Sequence, residues 1–374
     1  AAFEQLVMAT LQQVADEGIA QEQLEAALHQ LELSQREISG DGYPYGMSLI
    51  LVSLSSAIHR GDPIALLNLD PVLDRLREEI KERDFIPALV RELLLENPHR
   101  VRLTLRPDQQ LAERRDAAEA AALAKIKATL NAEQTQAVID QAQALEARQN
   151  QVDDETLLPK VTIQDVPADM RIPTGEMQQA NGLACAFYGQ GTNGLVYQQV
   201  IIELPALSDT ELGLLPLYSN CLTELGCGGR DYKQTQSWQS QVSGGISSYA
   251  TVRGDIHDEQ KVSGYFTLSG KALLNKQTQL TELLKDTLET VRFDELSRIR
   301  ELVSEQRTRK EQSITGQGHS LAIMAACSNF SPVAQLTHNQ RGLASIRAVK
   351  QLDDALAEPA QLQALADQLA VLHG

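Results

Sequence analysis

Residues Leu195 to Leu204 read LVYQQVIIEL, and Pro205 ends the run. Val196, Val200, Ile201 and Ile202 are β-branched, and so short a run of such residues reads as a strand. Gly189, Gly191 and Gly194 precede it with the spacing G-x-G-x-x-G. A dinucleotide loop of that spacing needs a helix directly after it, because the free N–H groups and the dipole of a helix N-terminus hold the pyrophosphate. A strand in that place argues against a phosphate cradle. The glycines, with Asn193, are expected to supply positive φ in a hairpin loop that joins this strand to the strand before it, NGLACAFYG. A nucleotide-dependent enzyme stays open as a reading only if those glycines bind NAD or ATP.

The other segments extend this pattern. Residues 2–38 carry two amphipathic helical runs separated at Gly18, and SGDGYPYG (39–46) is a turn cluster. MSLILVSLSSAIHR reads as a buried helix closed by Gly61, Asp62 and Pro63, and PVLDRLREEIKER and FIPALVRELLLEN as two more helices. In HRVRLTLRPD (99–108), Val101, Leu103 and Leu105 alternate with Arg102, Thr104 and Arg106, which reads as a strand with one wet face. A strand cannot stand alone, so its partners are expected upstream of Ala1. Ala1 is not Met and opens directly into a helical pattern, as in a piece of something longer.

From Asp108 to Gln151 the composition turns to Ala, Glu, Gln, Lys and Arg. Asn131, with Gln134 three places on, is an N-cap between two helices, read as an antiparallel hairpin. Beyond Asp153, strands are expected at LPKVTIQDVP, at the two segments flanking the glycines, at GGISSYATVRGD and at QKVSGYFTLSGKAL. Helices are expected at DTELGLLPLYSNCLTELG and DYKQTQSWQSQVS, and then at about 273–291, 293–313, 319–329, 331–350 and 359–372. The fold class is α+β: two-layer domains of antiparallel-rich sheet and packed helices, plus a helical hairpin linker. Three parts follow: 1–107, 108–152 and 153–374.

The formal charge is −17 over 374 residues. Such a surface repels phosphate backbones, so nucleic acid is not expected as a partner, whereas basic peptides are tolerated. No apolar run reaches membrane-spanning length. Cys185, Cys221, Cys227 and Cys327 form no C-x-x-C and lie in apolar contexts, as reduced core thiols in a reducing compartment do. The histidines, His29, His59, His99, His257, His319, His338 and His373, show no H-x-x-x-H spacing and are read as satisfied core or surface residues. QVSGGISSYA and TGQGHSLAI do not match G-x-S-x-G. No self-contained catalytic constellation emerges, and no catalytic, cofactor-binding or metal residue is assigned.

Several segments together resemble the presequence protease branch of the pitrilysin/insulinase zinc peptidases. They are Gly40 to Ile80, LLLENPHRVRLTLRPD (93–108), the linker at 109–151, the region from 153, and SPVAQLTHNQRGLASIRAVKQL (331–352). The resemblance implies four related α+β domains in two halves around a closed peptide-digesting chamber, with an inverted zinc motif, H-x-x-E-H, in the first domain. This chain contains no H-x-x-E-H. If Cys227-Gly228-Gly229 matches the turn after the equivalent helix, the motif would fall at Ser219 to Thr223, which offers neither imidazole nor carboxylate.

The resemblance therefore implies a middle portion: the end of a second domain, a linker and a metal-free third domain that serves as chamber wall. Zinc is expected in an N-terminal domain of the full-length protein. Expected partners are peptide substrates and the remaining domains of the same chain, in a bacterial-type cytoplasm or an organelle matrix. The alternative is a stand-alone, non-catalytic interaction module resembling a processing-peptidase partner subunit.

Overall fold

In the computed structural model, residues 2–38, 43–169 and 172–374 are described. They group into two compact units, Ala1–Glu96 with Gln190–Gly374, and Asn97–Gly189.

In the first unit, helices α1 (Ala2–Glu17) and α2 (Gln21–Arg36) are separated at Gly18, whose φ of 81° lets the chain turn. Helix α3 (Tyr45–Ala57) forms as expected, but burial does not follow. Ile50 is 60% exposed and Leu51, Val52 and Leu54 are also open, because no described element covers this helix. Part of the expected turn cluster, 39–42, lies outside the described residues. Helices α4 (Asp70–Glu79) and α5 (Phe85–Val90) follow, the latter running into a π-helical turn, Arg91–Leu95. Helix α5 packs on α1, and α4 on α2.

The second unit holds α6 (Leu111–Thr129) and α7 (Ala132–Gln149). The Asn131 side chain accepts the Gln134 N–H at 2.8 Å, and the Gln134 side chain accepts the Asn131 N–H at 3.1 Å, the reciprocal cap expected there. Neither helix has a buried residue. Two expected strands are absent among the described residues. The stretch 99–108 is extended but unpaired, with Val101, Leu103 and Leu105 at 84%, 78% and 85% exposure, because no neighbouring strand completes a ladder. LPKVTIQDVP instead makes a single 3-10 turn, Ile163–Asp165, capped by Thr162.

The glycine segment also differs from expectation. Strand β1 (Glu176–Ala180) pairs antiparallel with β2 (Leu183–Phe187) through a two-residue turn, Asn181 and Gly182, with φ of 53° and 83°. Strand β3 (Leu195–Glu203) does not pair with β2. The strand after the glycines is confirmed; the hairpin across them is not, because β2 has a local partner two residues away. Asn193 and Gly194, with φ of 52° and 82°, form the turn that enters β3.

Helices α8 (Asp209–Glu224) and α9 (Tyr232–Val242) then precede β4 (Ile246–Gly254) and β5 (Val262–Leu273). Reciprocal caps, Ser208 with Glu211 and Asp231 with Gln234, start both helices. The sheet is antiparallel in the order β3-β5-β4, with Gln198 opposite Gly270 and Gly270 opposite Ile246. Helix α10 (Gln277–Glu289) packs Leu280, Leu283 and Leu284 onto one sheet face, where Phe266, Leu268 and Ala272 are buried. A Cβ at Gly270 would meet Leu280 Cδ1 at 2.8 Å, so the bare strand position lets the helix come close.

Helices α11 (Leu296–Ser313), α12 (Gly318–Cys327), α13 (Pro332–Arg341), α14 (Leu343–Ala355) and α15 (Pro359–His373) complete the unit. Ile299, Leu302 and Val303 of α11 and Leu365 and Leu369 of α15 extend the same core, each fully buried leucine contributing about 2 kcal/mol. The expected single helix over 331–350 is broken at Gly342, where a Cβ would lie 2.6 Å from the His338 ring. No helix among the described residues is long and apolar enough to cross a membrane.

Candidate functional site: an open sheet face and its polar cleft

Side chains alternate across a strand, so the register fixes two faces for the sheet. One face carries Phe266, Leu268 and Ala272 against the helices. Tyr197, Ile201, Tyr249 and Tyr265 belong to the other face, and their exposures run from 42% to 61%. A row of half-exposed tyrosines offers flat apolar rings with a hydroxyl at the tip, suited to contact with a mixed polar and apolar chain.

Helix α2 closes one end of this face. Leu33 packs on Leu195 and Leu273 as a small separate cluster. Around it, the Gln30 side chain donates to the carbonyls of Ser240 (2.6 Å) and Ser243 (2.7 Å), and the Asn193 side chain donates to the Arg36 carbonyl at 3.2 Å. Just beyond the helix, both Glu37 carboxylate oxygens lie 2.6 Å from Lys271 Nζ. Each side chain of this pair is 29% exposed.

A cleft of about 390 Å³ opens beside the pair, between Glu37 and the ends of the three strands. Tyr197 stands opposite Lys271 in the register, and burial together with the Glu37 carboxylate pushes its phenol pKa up. Ser247 and Ser269 face each other across β4 and β5 with their hydroxyls 2.9 Å apart. Gly244 and Gly245 bare the backbone at the entry to β4. A Cβ at Gly244 would lie 3.0 Å from Lys271 Cε, whereas one at Gly245 would meet nothing within 4 Å. The cleft is thus a hydrogen-bonding surface whose two charges neutralise each other.

The helix positions that the sequence reading matches to a zinc motif, Ser219 to Thr223, lie on α8. Ser219, Cys221 and Leu222 point into the core, and burial pushes the Cys221 thiol up to about 12. A thiol held protonated in an apolar core does not fit a metal ligand. Among the described residues no group of three or more His, Cys, Asp or Glu side chains is placed to hold a metal ion.

The expectation for the cysteines holds in half. Cys221 and Cys227 are core thiols, but Cys185 and Cys327 are only half-buried. The histidines also need correcting. Tyr218 Oη contacts His373 Nδ1 at 2.9 Å, but buried His29 Nε2 and His338 Nδ1 have no hydrogen-bond partner, since the packed apolar surroundings bring no donor or acceptor to them.

Sequence reasoning missed the Glu37–Lys271 pair, whose members are 234 residues apart. Only the alternation Tyr265, Thr267, Ser269, Lys271 marked the polar face in advance. The β1–β2 hairpin was also missed, although Asn181-Gly182 is the strongest short signal for such a turn.

The family model described as the associated region of the peptidases of family M16, subfamily C, matches residues 105–352. Presequence protease 1, chloroplastic/mitochondrial, of Arabidopsis thaliana is 27% identical over 364 residues, covering 95% of this chain and 33% of that protein. The mitochondrial presequence protease of Xenopus laevis is 24% identical over 351 residues, 93% of this chain and 34% of that protein. Protein HypA of Clostridium perfringens is 24% identical over 325 residues, 86% of this chain and 33% of that protein. The chain thus spans about a third of the length of these curated relatives. It belongs to this peptidase-associated family, in the presequence-protease-like branch of the pitrilysin/insulinase peptidases.

Proposed function

We propose that this chain is a non-catalytic, chamber-forming part of a presequence-protease-like zinc metallopeptidase that degrades short unstructured peptides. Residues 1–107 are the later part of one α+β repeat, 108–152 the linker, and 153–374 a further repeat that binds no metal. The zinc is held by residues outside this chain. Its partners are peptides and the remaining domains of the same polypeptide, in a cytoplasm or an organelle matrix.

The observation that carries this reading is the uncovered sheet face with its tyrosines, set on a helix-packed core. That face holds an unfolded peptide by ring contact and hydrogen bonding and leaves bond cleavage to groups elsewhere. The test is to replace Tyr197, Tyr249 and Tyr265 by Ala in the whole protein. KM for a short unstructured peptide should rise about tenfold or more, with kcat little changed, as for lost ground-state contacts. Unchanged KM would remove the sheet face from the reading. Elemental analysis of the 374-residue chain should find no stoichiometric zinc, and one zinc per chain would overturn the reading.

A further inference from the structure

We infer that the cleft beside Glu37 and Lys271 is a subsite for an uncharged polar residue of an extended peptide, and that the ion pair in its wall makes it reject charged side chains. This rests on the reading that peptides lie on the tyrosine-bearing sheet face, which the cleft adjoins through Tyr197.

The two charges of the cleft are fully engaged with each other. Lys271 Nζ sits 2.6 Å from both Glu37 oxygens, and each side chain is mostly withdrawn from solvent. An entering Lys or Arg side chain meets the Lys271 ammonium at close range. An entering Asp or Glu meets the Glu37 carboxylate. Either must face a like charge or break the pair and leave one member partly buried and uncompensated, which costs more than the new contact returns. An amide or a hydroxyl avoids both penalties, because it donates and accepts without adding charge. The cleft answers in kind with the Tyr197 phenol, the Ser247 and Ser269 hydroxyls and the Gln199 side chain.

Its size and its glycines support the same occupant. A volume of about 390 Å³ suits one or two residues rather than a long segment. Gly245, with φ of 107° and open space at its Cβ position, leaves the β4 end uncrowded for a peptide main chain. A Ser, Thr, Asn or Gln side chain of a peptide crossing the strands fits this set.

The test is fluorescence anisotropy with labelled, N-acetylated and C-amidated peptides that differ at one central position: Gln, Lys or Glu. The wild-type 374-residue chain should bind the Gln peptide about fivefold more tightly than either charged peptide. Glu37→Gln, which frees Lys271, should shift the preference toward the Glu peptide by a similar factor. Lys271→Gln, which frees Glu37, should shift it toward the Lys peptide. The double variant Glu37→Gln/Lys271→Gln should return to the Gln peptide, which separates charge selection from a loosened α2. Binding without this reversal overturns the subsite and leaves the sheet-face reading standing. Failure of every peptide to bind overturns both.

Discussion

The Glu295 carboxylate accepts the backbone N–H of Gly226 at 2.6 Å, across 69 residues of chain. Its other oxygen accepts the Tyr232 N–H at 2.9 Å, and the Arg292 N–H donates to the Gly226 carbonyl at 2.8 Å. One side chain therefore ties the α8–α9 turn to the start of α11. Glu295→Ala leaves two partly buried N–H groups without an acceptor and should cost about 2 kcal/mol. Glu295→Gln keeps one acceptor and should cost about half as much. Urea unfolding of the three proteins measures this, and equal midpoints would mean that water takes over both bonds.

Two glycines, one in that turn and one in the helix before it, should respond in opposite directions to the same substitution. A Cβ at Gly226 would lie 2.3 Å from the Arg230 carbonyl oxygen and 3.0 Å from the Asp231 carbonyl carbon. Backbone cannot step aside as a side-chain tip can, so Gly226→Ala should destabilise by about 2 kcal/mol or more. Gly213, on the exposed side of α8, has nothing within 4 Å of its Cβ position. Gly213→Ala should stabilise by about 0.5–1 kcal/mol through helix propensity. Thermal unfolding that moves both variants in one direction would contradict the packing described here.

The thiols divide into two classes. Cys221 is wholly buried and burial pushes its thiol up to about 12, and burial also raises the Cys227 thiol, opposed by hydrogen bonds from Thr235 and Thr287. Cys185 and Cys327 are half-exposed. Since the thiolate is the reactive form, native protein should titrate about two thiols quickly with a disulfide reagent and the other two only after denaturant is added. Rapid modification of Cys221 in native protein, seen by mass spectrometry, would show that the α8 core opens far more readily than its burial implies.

The positions of the helices and of the three-strand sheet were legible because local signals carry them. Hydrophobic period, Gly18, Asn131 with Gln134, and the β-branched run at Leu195 each act within a few residues. Pairing was less legible. HRVRLTLRPD alternates as a strand should, but alternation specifies a face and not a partner, and no described strand lies beside it. Burial of α3 was misjudged for a related reason: an apolar helix records what it would pack against, not what is present. The candidate site was almost invisible, since its cleft joins Glu37, Tyr197, Gly245 and Lys271 from four distant segments. None of those residues is unusual in its own stretch of sequence.

Two buried imidazoles should set how stability depends on pH. Burial lowers the His29 pKa first and the nearby Lys276 charge adds to it, opposed by the Val242 carbonyl and the Glu32 carboxylate. Burial lowers that of His373 too, opposed by the Leu288 carbonyl, and its Nδ1 accepts the Tyr218 hydroxyl. A folded-state pKa below the unfolded value means that the unfolded chain takes up the proton first. The contribution is therefore complete above pH about 6.5 and declines as pH falls from there toward the folded-state values. Protonation would also put a charged N–H on His29 Nε2, which has no acceptor. The carboxylates with lowered pKa, such as Glu211 and Asp294, act only at lower pH, as they approach their own titration range. The melting temperature should accordingly stay level from pH 8 to about 6.5 and drop between about 6.5 and 5. Replacing both His29 and His373 by Gln should lower the plateau but flatten that drop, and an undiminished slope in the double variant would place the acid sensitivity in other groups.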